Sequence, residues 1–551
     1  MVFSFIRQQF VKTGGILVLL TSLGVTAGLV GLRHLGGLES LELDAYDRFI
    51  RLKPYEAPDE RILVVGVTEE DIQGLQQYPL YDGTLAQALT NLEKYEPRAI
   101  GVDIGRDVPQ GPPQGRVALK NVLASSDRIV SACLLSSTDQ PGVPPAPGTP
   151  PDLTGFADFP VDVGGVIRRS ILISTPVKPP VTIGKTHVCN DASPDNEVLS
   201  LSLLLSVLYL EKQGISPEQT KQQELQLSHV VFKRLEKQSG GYADTGATDY
   251  QMMLNYRGRN DAIRQVSLTD VLKNRVKPEW VHDRVVLVGY TSPVANDIVT
   301  TPYRETQAGS RGMPGVVVHA QAVSQILSAV LDRRPLIGSL PKLVEILLIG
   351  SAAILGGIVA LLSRRLALFA LLLGVLIGGN WLLAYGLFIQ GLWLPMVPIA
   401  IALLITAIST SSLQRANQSG YTQAIYEQLR DQLQGRKAST ADADYLETLV
   451  RRARAIREGR QSNDWNDTWE TDLISHPSTN GLHTTDTLHF KSPQAQAVYD
   501  QIKAQAMKDL EQEQAALEAE QSRQRAESQR RQIDQLLKRA KTTRTISPPE
   551  R

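Results

Sequence analysis

Three clusters of polar residues, each placed at the end of a short apolar run, carry most of the chemistry this sequence offers. Thr68, Glu69, Glu70 and Asp71 follow residues 61–67 (RILVVGV). Asp103 closes residues 98–103 (RAIGVD) with Arg106 and Asp107 just beyond, and Tyr290, Thr291, Ser292 and Asp297 follow residues 284–289 (RVVLVG). Carboxylates, one guanidinium and hydroxyls gathered in this way can orient a small polar ligand or an ion. The same residue types cap helices and brace loops, and acids at 69–71 suit a helix start on electrostatic grounds alone. The binding reading therefore rests on Asp103, Arg106, Asp107, Tyr290, Thr291, Ser292 and Asp297. No nucleophile–base pair and no Cys/His metal spacing accompanies them, so no catalytic residue, metal or cofactor is expected.

His319, in VVVHAQAV on an apolar face, reads as a core histidine with a satisfied hydrogen bond. Asn255 and Arg257, in LNYRG, read as a strand-end turn. Cys133 and Cys189 are the chain's two cysteines. An oxidising compartment would allow a disulfide between them, while Cys133, ending an apolar run, equally suits a buried thiol.

For the polar clusters to meet, the runs before them must lie side by side as parallel strands, since loops converge at the carboxyl edge of such a sheet. The intervening sequence agrees. Residues 85–95 show helical spacing through Leu85, Leu89 and Leu92, a polar helix is expected near 116–124, and 128–134 is strand-like again. After a Pro-rich loop at 141–151 the alternation resumes with strands at 165–173, 252–256 and 284–289 and helices at 199–211 and 316–331. This predicts an α/β fold, a largely parallel sheet with helices on both faces.

The 551 residues exceed one ordinary domain. The 57 basic and 57 acidic residues balance without a basic stripe, which argues against a nucleic-acid partner. Four long apolar runs break the pattern: 14–32, 343–362, 366–389 and 392–413, with Glu345 near the end of its run as the one charge inside them. Each is long enough to cross a bilayer. The first could be a cleaved leader, but its length and the lack of an A-x-A site favour an anchor. Arg7 and Lys12 before it place the N-terminus in the cytoplasm, and Arg364, Arg365 and Arg415 agree, whereas Arg333, Arg334 and Lys342 lie on the opposite side. The expected layout is a multi-pass protein of the cell membrane: residues 1–13 cytoplasmic, 14–32 a span, 33–342 an extracytoplasmic domain, 343–413 three spans, and 414–551 a cytoplasmic helical tail.

Several phrases within 33–342 resemble the CHASE2 family of extracytoplasmic sensor domains: LDAYDRFIRLKP (43–54), RILVVGVTEEDI (61–72), PRAIGVDIGRDVP (97–109), LNYRG (254–258), VSLTDVL (266–272), DRVVLVGYTSPVANDIVTTPY (283–303) and MPGVVVHAQAVSQILSAVL (313–331). The family is similar in having one helix before the sensor and commonly three after it. Its D-x-D-G-x-x-R phrase stands here as DVGGVIR (162–168), with Gly164 in place of the second acid, which undercuts a ligand role for that loop. The resemblance implies a sensor for an external small molecule or protein, acting on a cytoplasmic signalling protein.

No kinase, cyclase or P-loop signature follows the last span, so no fused output enzyme is expected. The tail has short amphipathic stretches at 421–433 and 445–456, a polar stretch at 461–487 and a charged helix former at 495–541, which reads either as a solvated helix or as a coiled coil joining two chains. The rival reading is a structural or assembly protein whose outer domain docks another protein.

Overall fold

A computed structural model describes residues 15–179, 185–246, 249–303, 312–363 and 365–418. In chain order, α1 (Gly15–His34) and α2 (Glu39–Leu52) lead into β1 (Ile62–Val67), α3 (Glu69–Leu75), α4 (Asp82–Glu93), β2 (Ala99–Asp103), α5 (Pro113–Ser125), β3 (Ile129–Cys133) and β4 (Thr154–Phe156). Next come β5 (Arg169–Ser174), β6 (Val198–Leu199), α6 (Leu201–Glu211), β7 (Pro217–Gln219), β8 (Leu225–Leu227), β9 (Val230–Phe232), β10 (Tyr250–Met253), β11 (Arg264–Ser267) and α7 (Leu268–Leu272). The α/β part closes with β12 (Val285–Tyr290), β13 (Ile298–Val299), β14 (Met313–Pro314) and α8 (Gly315–Asp332); β15 (Gly338–Ser339), α9 (Lys342–Leu362), α10 (Leu366–Ile389), β16 (Leu392–Trp393) and α11 (Met396–Gln418) follow.

The main sheet has the order β11-β1-β12-β2-β3-β4, with every neighbour parallel. β1 is buried along its whole length, as its unbroken apolar run requires of a central parallel strand. Val64 and Leu287 join the core under α6 and α8, whereas Leu63, Val65, Val286 and Val288 join a separate core under α4, α5 and α7. The mixed α/β class with a largely parallel sheet is thus as expected.

Two regions differ. The strand expected at 165–173 begins only at Arg169, after a turn through Gly164 and Gly165 at positive φ. With β10 and β6 it forms a separate antiparallel sheet. Residues 217–232 form a three-stranded meander of three-residue strands, too short to show a period in sequence.

Three of the apolar runs are the helices α1, α9 and α10. In the fourth, Leu392 and Trp393 instead pair with β15, and α11 starts at Met396, just after Pro395. Among the described residues five helices are long and apolar enough to cross a membrane, these four and α8. However, α8 is 89% buried inside the protein and α10 only 6%, so α8 is a core helix of the α/β domain. Residues 1–13 and the tail beyond 418 lie outside the described residues. Cys133 and Cys189 form a disulfide, tying the end of β3 to the loop before β6.

Candidate functional site

The carboxyl ends of β1, β12 and β2 sit side by side, with Gly66, Gly289 and Asp103 in one register row. Residues in register on parallel strands share a face. A Cβ on Gly289 would strike Val316 at the start of α8, so this row lies under that helix and Asp103 faces the same way. Asp297 reaches the spot from the loop after β12. Its carbonyl accepts from the Gly315 N–H at 2.9 Å, and its Oδ1 lies 2.6 Å from where a Gly315 Cβ would stand. Only glycine at 315 lets that carboxylate rest against the helix.

Asp103 and Asp297 are both partly exposed, and neither carboxylate has a hydrogen-bond donor among the described residues. Burial pushes Asp103 up to about 7. Burial and then the charge of Asp103 push Asp297 to about 7 as well. The positive end of α8 opposes both shifts. Two adjoining carboxyls without donors can share one proton, or receive a cationic or hydrogen-donating group from outside.

The remaining candidate residues divide between other roles. Tyr290, one residue past Gly289, projects to the opposite face. There its hydroxyl accepts from the Leu80 N–H at 2.9 Å and its ring meets Tyr78 edge-on at 6.0 Å. Arg106 is on that face too, 2% exposed and 3.6 Å from the fully buried Asp82. Its Nε and Nη2, like Asp82 Oδ1, make no hydrogen bond among the described residues, although Nε and Oδ1 form that ion pair. Arg116 completes the group, donating to Asp82 at 3.2 Å and to the Arg106 and Asp107 carbonyls at 2.8 and 3.1 Å. The Asp107 side chain itself is exposed. Thr291 fills the space above Gly66. Ser292 accepts from the Val294 N–H and donates to Glu69 at 2.6 Å, bracing the loop. Thr68 and Asp71 form a reciprocal cap on α3, and Asp71 also accepts from the Leu268 and Thr269 N–H groups. Of the seven candidates, then, Asp103 and Asp297 come together, Arg106 and Tyr290 form a second group behind the sheet, and Asp107, Thr291 and Ser292 support the loops.

Beyond Asp297 the chain runs directly to α2. Thr300 bridges to Val166 and accepts from the Ile167 N–H at 2.9 Å; the Pro302 carbonyl accepts from Arg51 at 2.6 Å, and the Tyr303 hydroxyl meets the Ile50 carbonyl at 3.4 Å. The far side of α2 packs on α10 and β16: Phe49 meets Trp381, Tyr385 and Phe388, Tyr46 meets Phe388 and Trp393, and the Tyr385 hydroxyl donates to the Leu52 carbonyl at 2.5 Å. The Arg168 guanidinium clasps both oxygens of Asp47, at 2.6 and 2.9 Å, and Asp162 at 3.1 Å. Asp162 also accepts from Arg169 and from Tyr242, so it is fully used in holding α2 to β5. This is why the loop at 162–168 is a clasp despite lacking its second acid.

His319 is a core residue, with Nδ1 2.9 Å from Ser202 Oγ and its ring tilted against Phe159 at 4.3 Å. Asn255 and Arg257 are also structural: Arg257 bonds Ser324, Ser328 and Asp59, and Asn255 bonds the Pro335 carbonyl.

No curated protein and no solved structure matches the chain. The family model of the CHASE2 domain matches residues 23–358, taking in α2, the whole sheet, the carboxylate pair and α8, as well as most of α1 and α9. That match spans more than half of the 551 residues, and the chain belongs to the CHASE2 domain family of sensor domains.

Proposed function

We propose that this protein is a membrane-anchored sensor without catalytic activity. In this reading residues 33–342 lie outside the cell, α1, α9, α10 and α11 cross the membrane, and both termini are cytoplasmic. A small molecule offering a cationic or hydrogen-donating group occupies the Asp103–Asp297 pair. Its arrival shifts the segment from Asp297 to Tyr303, which grips α2, and α2 passes the displacement to the helices packed beneath it. The tail, 414–551, reports this to a separate cytoplasmic signalling protein, with the helix former at 495–541 bringing two chains together. The observation that carries the reading is the pair of carboxyls, without a donor among the described residues, at the carboxyl edge of the sheet, with Asp297 five residues before Pro302, whose carbonyl is held by Arg51 of α2.

Native mass spectrometry of the full chain released from its own membrane tests the site. A small molecule retained by the wild type and lost from Asp103→Ala and Asp297→Ala, with melting temperatures within a few degrees, is expected. Retention by both variants overturns the assignment. The exposed side chains of Tyr78, Val108 and Val294 near the same edge favour a second reading, in which the outer domain docks a protein. A wild-type chain carrying no small molecule would support it.

A further inference from the structure

At the boundary between the α/β domain and the membrane helices, one guanidinium serves two carboxylates on two different helices. Arg33, in the last turn of α1, donates Nε to Glu42 of α2 at 2.8 Å and Nη1 to Glu345 of α9 at 2.6 Å, and Nη2 donates to the Gly240 carbonyl. The carboxylate side chains are 1% exposed, and each keeps its Oε1 without a partner. The second cation, Lys342, lies 3.5 Å from Glu345 and is 41% exposed; it neutralises Glu345 and opens the cluster to solvent on that side. Among the described residues Arg33 is therefore the one cation hydrogen-bonded to Glu42, with Lys342 acting on it only at longer range.

The packing around Glu42 admits nothing else. Gly240 stands at φ +56° beneath the Trp393 indole, and the Glu42 Cβ lies 2.6 Å from where a Gly241 Cβ would be. The charged groups facing Glu42 are Arg33 from α1 and Glu345 and Lys342 from α9. The 240–241 loop offers only a backbone carbonyl, β16 only an indole, and Glu39 of α2 is turned to the Ala243 N–H at 3.3 Å. A buried carboxylate with one oxygen unpaired is costly, and adding a proton is the cheapest relief. Burial pushes Glu42 up to about 7, against the pull of Arg33 and with a further push from Glu345.

We propose that Arg33, Glu42 and Glu345 form a proton-operated latch: with a proton on Glu42 the buried cluster keeps α2 seated against α1 and α9, and with Glu42 ionised its unpaired buried oxygen favours an opened arrangement in which water reaches the carboxylate. The proton is added from water to the unpaired Oε1, and nothing else is consumed. The latch is independent of any ligand at Asp103 and Asp297. Because the seated state binds this proton more tightly than an opened, solvated one, the hold of the sensing domain on its anchor is strongest below neutrality.

Both native cysteines are in the disulfide, so added cysteines at exposed Asp44 of α2 and exposed Leu343 of α9 can carry spin labels on the full chain in lipid nanodiscs. The expected result is one narrow interlabel distance at pH 5.5 and a second, longer component at pH 8 that grows in as pH rises through about 7. Glu42→Gln should give the acid pattern at both pH values, and Asp103→Asn/Asp297→Asn should leave the wild-type response intact. The wild-type titration needs no folded variant. An unchanged distance between pH 8 and 5.5, or a response that survives in Glu42→Gln, overturns the latch, as does one that vanishes only in the double Asn variant.

Discussion

Asp103 and Asp297 are unusual because their environment favours the neutral acid. A carboxyl whose folded pKa lies above its unfolded value binds a proton in the folded state where the unfolded chain does not, so stability falls as pH rises between the two values. Here that window runs from about 4 to about 7, set by Asp103 and Asp297 at about 7. Melting temperature should therefore be highest near pH 5, fall toward pH 7 and level off above it. Asp103→Asn removes the charge that costs most and should gain on the order of 1–2 kcal/mol at pH 8, discounted for partial exposure, with a flatter profile. A wild-type melting temperature that climbs from pH 5 to 7 would contradict this assignment. Gly315→Ala probes the same pair from the helix side. The new methyl must displace the Asp297 carboxylate, costing about 1–3 kcal/mol, and the pH dependence should shrink with it in thermal unfolding measured from pH 5 to 8.

At the scale of elements, α2 carries the burden of connection, held to the α/β domain by Arg168–Asp47 and to the lower helices by Phe49, Tyr46 and the Leu52 carbonyl. Arg168→Ala leaves Asp47 and Asp162 buried without their guanidinium and should cost about 3–5 kcal/mol in thermal unfolding; a loss under 1 kcal/mol would show that the clasp is dispensable. Arg51→Ala is the gentler cut. It removes the bond to the Pro302 carbonyl at a partly buried place, so overall stability should hold, while amide exchange over residues 298–303 should quicken about five-fold, the equivalent of about 1 kcal/mol. The strands β1, β2, β3 and β12 were legible because burial on both faces leaves a continuous apolar run. The direction of β5 and β10 was not, because a short apolar run does not say whether its neighbour is parallel, and the helix α2 was visible only as a family phrase.

For the molecule as a whole, the place of the site was legible and its membership was not. That polar residues gather where parallel strands end follows from the βαβ alternation, but which of them share a face depends on register, and register is a property of the assembled sheet. Asp103 beside Gly289 and Tyr290 beyond it fall on opposite faces for that reason alone. A similar physical point bears on orientation. Arg333, Arg334 and Lys342 count against an outward-facing α/β domain, yet Arg334 is engaged by Glu56 at 2.7 Å and by the Asn255 carbonyl, and Lys342 by Glu345. Arg334 and Lys342 are thus engaged within the folded domain, and long translocated domains cross largely regardless of charge. The layout proposed above therefore predicts that, in intact cells, a single added cysteine at position 150 reacts with a membrane-impermeant maleimide, whereas one at position 480 reacts only after permeabilisation. The native disulfide removes background labelling. Equal labelling at both positions in intact cells would place α1, α9, α10 and α11 in an arrangement other than four crossings, and labelling at 480 alone would invert the protein in its membrane.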